Sequence, residues 1–115
     1  MDFKGTIDIS DNALREIAVR SISSVLEITD ERKIKKLRKS VEIERSPEDN
    51  VIVNAKLTLP YGKPLTELAK SVMEKVKFDI ERMTGLQVLA VNITVEDIEE
   101  GEVSIEEEKE DSQKE

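Results

Sequence analysis

The chain has 115 residues, of which 38% are charged, and its formal net charge is −8. It contains no cysteine and no histidine, which excludes disulfides, thiolate chemistry, and histidine as a metal ligand or general base. Its length predicts one domain. No apolar run approaches the roughly 20 residues that cross a bilayer. The first residues lack the basic and apolar regions of a signal peptide, so we expect a cytoplasmic protein.

The negative charge is concentrated at the end of the chain. Residues 99–115 contain nine acids and two lysines, whereas the preceding residues contain 17 acids and 16 bases. A segment this acidic has too few apolar residues to offset its ordering entropy. We therefore predict one domain over residues 1–98 and a disordered tail over 99–115, with a brief strand at 103–105 as an alternative. Abundant lysine and glutamate with few glutamines is typical of hyperthermophile proteins.

The chain begins with an alternating stretch, FKGTIDIS at residues 3–10, which predicts a half-buried strand. Ser10 or Asp11 can then cap an amphipathic helix, whose apolar residues recur at spacings of three and four. These apolar residues are Leu14, Ile17, Ala18, Ile22 and Val25. The stretch 27–39 has only a thin apolar pattern, and we interpret it as a loop or one or two helical turns.

Two further strands follow. SVEIERS at 40–46 and VIVNAKLTL at 51–59 both alternate, and SPEDN between them is typical of a turn, so we predict a hairpin. The residues expected to face inward are Val41, Ile43, Val51, Val53, Ala55, Leu57 and Leu59.

A second helix and a last strand complete the pattern. Pro64 suits the first helical turn, and Gly85 can end the helix in the left-handed conformation. The apolar stripe of this helix consists of Leu65, Leu68, Ala69, Val72, Val76, Ile80 and Met83. LQVLAVNITV at 86–95 alternates and predicts a strand, with its inward face formed by Leu89, Val91, Ile93 and Val95.

The predicted fold is α+β, with elements in the order β-α-β-β-α-β. Two amphipathic helices can cover one face of a four-stranded sheet, which gives a two-layer sandwich. The strand order does not follow from the pattern. The uncovered face is expected to carry small and polar residues, namely Lys4, Thr6, Asp8, Asn54, Lys56, Thr58, Ala90, Asn92 and Thr94.

The stretch RKIKKLRK places six cations in eight residues, Arg32, Lys33, Lys35, Lys36, Arg38 and Lys39. They are candidates for contact with an anion or a partner, and near an anionic membrane each contributes about 1 kcal/mol. The plainer interpretation, which we favour, is a solvated loop. Nucleic-acid binding is an alternative. RNA-recognition modules stack bases on aromatic residues of their strands, whereas the predicted strands here offer Phe3 alone, which its alternation points inward, and the chain has no GXXG clamp.

No set of residues predicts catalysis. YGKP at 61–64 precedes a helix, but it lacks the second glycine of a phosphate-binding P-loop, and Pro64 follows its lysine where that loop needs Ser or Thr. The acidic tail lacks the spaced ligands and glycine of a calcium loop. We therefore predict a protein that is not an enzyme, with no catalytic, cofactor-binding or metal-binding residues.

Several short motifs follow one another along the chain, namely Tyr61-Gly62, an ELAKSVMEKV helix, Met83-Thr84-Gly85-Leu86 and Val91-Asn92-Ile93-Thr94-Val95. In this order they resemble the bacterial alkaline shock protein family of envelope-stress proteins. The opening GTIDISDNALREIAVRSI also resembles the family's first strand and helix, so the resemblance covers about residues 5–98. Tyr61, Gly62, Thr84, Gly85 and Asn92 would then be structural. The family's Gly-Val pair after the first helix is missing, which indicates a remodelled connection that contains the basic run.

The resemblance implies a non-enzymatic role in envelope homeostasis. Family members are abundant cytoplasmic proteins that tend to self-associate, and some are held at the inner face of the membrane by a small membrane-protein anchor. We therefore expect an interaction protein that self-associates, as a homo-oligomer, or docks on a membrane-linked protein partner such as a small membrane anchor. A nucleic-acid-binding domain and an accessory subunit of an enzyme remain the alternatives.

Overall fold

A computed structural model describes residues 4–100, which form three helices and one three-stranded sheet. In chain order the elements are α1 (Asp11–Leu26), α2 (Glu31–Lys39), β1 (Val41–Arg45), β2 (Val51–Pro60), α3 (Leu65–Thr84) and β3 (Val88–Glu99). The predicted tail beyond residue 100, with its alternative strand at 103–105, lies outside the described residues.

The sheet order is β1-β2-β3. β1 and β2 are antiparallel and form the predicted hairpin, with Ile43 opposite Val53. β2 and β3 are parallel, with Val53 opposite Val91, and α3 makes the crossover between them. The α+β class is therefore confirmed, whereas the four-stranded sheet with two helices is wrong.

The missing strand is the predicted first one. Residues 4–10 carry no strand assignment, and Ile7 is 89% exposed although its alternation predicts an inward side chain. The alternating pattern is a local property, whereas a strand also needs a neighbouring strand to receive its backbone hydrogen bonds. Lys4, Thr6 and Asp8 consequently do not lie on the open sheet face. Phe3, with which the predicted strand begins, lies outside the described residues.

The extra helix is α2, which occupies most of the stretch interpreted as a loop or one or two helical turns. Asp30 caps it, because its Oδ1 accepts a 2.8 Å hydrogen bond from the N–H of Arg32. Arg, Lys and Leu are good helix formers, and the cations in the last turn complement the negative end of the helix dipole. Leu37 enters the core and is only 7% exposed. Capping and propensity therefore outweigh the thin apolar pattern.

The core lies between the helices and the inward face of the sheet. On β2 the buried side chains alternate as predicted, at Val51, Val53, Ala55, Leu57 and Leu59. From α1 and α3 the core receives Leu14, Ala18, Val19, Ile22, Val72, Val76 and Ile80. Met83, predicted to be buried, is 59% exposed at the end of α3.

Two irregularities in β3 shift its register against β2. Val51 pairs with Val88 but Ile52 pairs with Ala90, so Leu89 is an extra residue. The same happens further along, where Glu96 is the extra residue. Leu89 is consequently 50% exposed, and its predicted inward position is wrong, because a bulge interrupts the two-residue alternation.

Candidate interaction surfaces

The six cations of the basic run are distributed over three sides of α2. Arg38 packs towards α1, where its guanidinium makes two hydrogen bonds of 2.9 and 3.0 Å to the carboxylate of Glu16. This hydrogen-bonded pairing lowers the pKa of Glu16 and raises that of Arg38. Arg38 therefore attaches α2 to the body of the domain, a role that neither a solvated loop nor a binding site predicts.

The side of α2 that carries Lys33 and Lys36 borders a groove. Lys33 Nζ lies 3.3 Å from Glu99 Oε2 at the end of β3. The groove has a volume of about 660 Å³, and its other walls are the α1–α2 connection and the last residues of β2 and β3. The third side of α2 presents Arg32, Lys35 and Lys39 to solvent.

The floor of this groove includes a backbone edge that β1 leaves uncovered. β1 begins at Val41, opposite Ala55, and the N–H of Lys56 donates a 3.1 Å hydrogen bond to the carbonyl of Ser40. Backbone groups of a strand point alternately to its two neighbours, so the N–H and C=O of Thr58 also point to this side. In the described part of the chain, no strand lies beside them.

The open face of the sheet carries a row of hydrogen-bonded polar side chains across all three strands. Asn92 Nδ2 donates to Asn54 Oδ1 at 2.8 Å, and Asn54 Nδ2 donates to Glu44 Oε2 at 2.8 Å. Lys56 and Thr94 lie opposite each other one step further along the same face. The predicted polar character of this face therefore holds for β2 and β3.

The remaining motif residues shape the ends of α3. Tyr61 follows β2, is 69% exposed, and donates its N–H to the carbonyl of Glu99 at 2.8 Å. Gly62 and Gly85 have φ angles of 101° and 77°, which glycine adopts without a Cβ clash. Thr84 Oγ1 lies 2.6 Å from the carbonyl of Ile80 and accepts the N–H of Leu86 at 3.1 Å.

Glu81 links the end of α3 to the start of β3. Its Oε2 accepts a 2.9 Å hydrogen bond from the N–H of Val88 and a 3.1 Å one from Lys77 Nζ. The backbone hydrogen bond from Val88, followed by that from Lys77, lowers the pKa of Glu81. The carboxylate therefore favours the ionised form and fixes the first residue of β3.

A second crevice lies between α1 and α3, with a volume of about 580 Å³. At its base Ser21 Oγ donates a 2.6 Å hydrogen bond to Asp79 Oδ2, and Lys75 Nζ lies 3.3 Å from the same oxygen. Ser21 and Asp79 are both buried. The sequence analysis missed this pair, although Asp79 follows Val76 by three residues and so lies on the apolar side of α3.

The described residues offer neither a metal centre nor a membrane span. Within residues 4–100, no three His, Cys, Asp or Glu side chains converge as metal ligands. None of the three described helices is sufficiently long and apolar to span a bilayer.

Residues 2–100 match the family model of alkaline shock protein 23, which is described by a cell envelope-related function. The match covers most of the chain, so this protein belongs to that family, and the resemblance stated from its motifs is confirmed. A relative in Streptococcus pyogenes serotype M6, "Uncharacterized protein Spy1614", is 32% identical over 54 residues, which are 47% of this chain and 45% of the relative. The aligned region thus spans less than half of that relative. No solved structure matches the chain significantly.

Proposed function

We propose that this protein is a non-enzymatic interaction module of the cell envelope that docks a membrane-linked protein through the outer edge of β3. The family's cell envelope-related function supports a role at the cell envelope. The observation that carries the proposal is the position of β3 at the end of the sheet, since within residues 4–100 no strand lies on its far side. A strand edge with free backbone groups accepts an extended segment of another protein.

The direction of the backbone N–H and C=O groups of β3 determines which residues can pair with a partner strand at this edge. The N–H of Val51 donates to the carbonyl of Gln87, and that of Tyr61 donates to the carbonyl of Glu99, so odd-numbered residues of β2 bond to β3. In the parallel register, even-numbered residues from 90 to 94 of β3 then bond to β2. The backbone groups of Val91, Ile93 and Val95 consequently point away from the sheet.

The two bulges limit the length of the docking edge. They place extra residues at Leu89 and Glu96, and the regular stretch between them is 90–95. A bulge disrupts the ladder locally and increases the twist. The edge therefore fits a partner strand of only about three to five residues, paired through the three outward-pointing residues.

The opposite edge of the sheet is less accessible. Arg15 Nε donates a 3.0 Å hydrogen bond to the carbonyl of Val41, which is the first residue of β1. Arg45, at the other end of β1, contacts the carbonyl of Ile9 at 3.2 Å and thereby holds the N-terminal segment nearby. Side chains thus occupy parts of the β1 edge, which makes the β3 edge the better docking surface.

The test is affinity purification from soluble and membrane fractions of native cells, with mass spectrometry of the captured proteins. Ile93→Pro removes an N–H that points outward and so leaves the β2–β3 ladder intact. We expect wild-type protein to capture an integral membrane protein and I93P to lose it. The matched control is Thr94→Ala on the open face, which should retain the partner. Capture by I93P at the wild-type level, with the fold verified by circular dichroism, would reject the β3 edge.

The outward side of α2 supports an accessory role for the basic run. Arg32, Lys35 and Lys39 are exposed at spacings of three and four, so they form one stripe on the helix. We propose that this stripe approaches anionic lipid headgroups when the protein is held at a membrane. Two of the other cations, Lys33 and Arg38, face carboxylates. The stripe therefore contains fewer cations than the six of the whole run.

Vesicle sedimentation tests the accessory role. The variant K35E/K39E should bind phosphatidylglycerol vesicles roughly 30-fold more weakly than wild type at low salt, because each of the two lost cations contributes about 1 kcal/mol. The control variant, K63E/K70E, changes the net charge equally at the start of α3. Equal sedimentation of wild type and K35E/K39E would remove α2 from membrane contact. A gel shift with RNA that is lost at high salt would instead support the nucleic-acid alternative.

A further inference from the structure

We propose that residues 4–8 of one copy of this chain add a short strand to the free edge of β2 in a second copy, within the groove between α2 and the ends of β2 and β3. The segment has the alternating pattern of a strand but forms none, and its Ile7 is 89% exposed. The groove contains the unpaired backbone groups of Thr58. An exposed strand edge is satisfied best by another extended segment. This contact is separate from the docking edge of β3.

The segment of the same copy does not reach this edge. Arg45 Nη1 lies 3.2 Å from the carbonyl of Ile9, so the segment starts beside the end of β1 that pairs with Val51. From Val51 to Thr58, β2 rises by about 23 Å, at about 3.3 Å per residue. The three residues from Ile9 back to Thr6 span at most about 11 Å. A segment that fills the groove must therefore come from a second copy.

Antiparallel pairing of Thr6 with Thr58 satisfies the free backbone groups. Even-numbered residues of β2 direct their N–H and C=O to this side of the strand, where the N–H of Lys56 already donates to Ser40. Thr6 and Thr58 then exchange two backbone hydrogen bonds, and two threonines directly opposite each other are a favourable cross-strand pair. Because Ser40 lies beside Lys56, the added strand pairs only with residues 57–60 of β2.

This register turns Ile7 towards the apolar side of the groove. Directly opposite side chains lie on the same face, so Thr6 shares the open face with Thr58, and Ile7 shares the inward face with the buried Leu57. The apolar residues that border the groove are Leu26, Ile28 and Ile98. Ile98 is 46% exposed although β3 places it on the inward face. The contact therefore removes the exposed surface of Ile7 from water, which favours association.

The same register brings opposite charges together on the open face. Asp8 lies level with Lys56, and Lys4 lies level with Pro60, beside the end of β3. The acidic residues of β3 and its end that line the groove are Glu96, Asp97, Glu99 and Glu100. A parallel orientation would instead place Lys4 beside Lys56 and Asp8 beside these carboxylates. Charge complementarity therefore selects the antiparallel orientation.

Analytical ultracentrifugation of the full chain over a range of concentrations tests the charge pairing. Asp8 and Lys56 are both exposed, so reversing their charges leaves the fold intact. We expect D8K and K56E each to weaken the association of wild-type copies by about fivefold, and D8K/K56E to restore it, because opposite charges face each other again. The control D8K/K70E carries the same net charge and should stay as weak as D8K. Association that is absent in wild type, or equal in wild type, D8K and K56E, would overturn the proposal.

Amide hydrogen exchange, followed by NMR at high protein concentration, tests the strand pairing. The Thr58 amide should exchange at least roughly tenfold more slowly in wild type than in Ile7→Asp, because Thr6 of the second copy accepts its hydrogen bond. The Asn54 amide, in the β1–β2 ladder, is the internal control and should be unchanged. The variant I93P should protect Thr58 like wild type, which separates this contact from the docking edge of β3. Equal exchange of Thr58 in wild type and I7D, or loss of its protection in I93P, would overturn the proposal.

Discussion

Glu27 adopts a left-handed backbone conformation, which is rare for residues other than glycine. Its φ is 57° and its ψ is 43°, and its N–H ends α1 by donating to the carbonyl of Ser23. The left-handed conformation costs about 1–2 kcal/mol for a residue with a Cβ. Glu27 thus adopts at the end of α1 the conformation that glycine favours.

We therefore expect Glu27→Gly to raise the free energy of unfolding by about 0.5–1 kcal/mol, because the relief of strain exceeds the entropy that glycine loses on folding. Urea denaturation measures the change. Lys70→Gly, in the exposed interior of α3, is the control and should lower stability by about 1 kcal/mol. A loss of stability in both variants would show that Glu27 is not strained.

Glu81 makes stability depend on pH in a definite direction. Its folded-state pKa is lowered, chiefly by the hydrogen bond from Val88, so the folded state binds its proton less readily than the unfolded state does. The stabilisation is fully present above the unfolded-state pKa of about 4.3 and is lost as the pH falls through the folded-state pKa.

Glu81→Gln should consequently be less stable than wild type at pH 7, and the difference should shrink as the pH falls below about 4. Thermal unfolding at a series of pH values measures it. Glu74→Gln, at an exposed position of the same helix, controls for the removal of one negative charge. A difference between E81Q and wild type that stays constant down to pH 2 would contradict the role of the ionised carboxylate.

At the scale of elements, α2 is fixed by few contacts. Leu37 is its one buried residue, and Ile34 packs at the margin of the core. Leu37→Ala should lower the free energy of unfolding by about 2–3 kcal/mol, because it removes buried methyl groups and leaves a cavity. Lys39→Ala at the exposed end of α2 should be nearly neutral. If L37A and K39A had equal stability in urea, α2 would not be held by the core.

The elements also show which parts of the fold follow from sequence pattern. The hairpin, α1 and α3 were predicted because their apolar periods extend over many residues and end at recognisable signals such as Ser10 and Gly85. For α2 the pattern leaves a loop and one or two helical turns as alternatives, because only Ile34 and Leu37 mark its inner side. The stretch at 3–10 was predicted as a strand because alternation describes one segment and does not reveal whether a neighbour exists to pair with it.

For the interaction surfaces, the sequence predicts which types of residue are present but not how the fold arranges them. The run of cations from Arg32 to Lys39 is evident in the sequence, but its division among Glu16, the groove and solvent depends on which residues the fold places nearby. The bulges at Leu89 and Glu96 carry no sequence signal that separates them from the rest of an alternating strand. The edges of β2 and β3 could not be foreseen either, since the strand order sets them.

At the scale of the whole molecule, the parallel pairing of β2 with β3 has a consequence for the order of folding. Partners in the β1–β2 hairpin are close in sequence, whereas Val53 and Val91 meet only after the whole of α3 has been placed. Closing the longer loop costs more entropy before any contact compensates for it.

We expect β3 to join last. In stopped-flow experiments Val91→Ala should then mainly accelerate unfolding, while Ile43→Ala in the hairpin should also slow refolding. The reverse pattern would place the crossover, rather than the hairpin, in the folding nucleus.

If β3 joins last, its docking edge would exist only in molecules that have finished folding, so a partner that binds this edge would select complete domains.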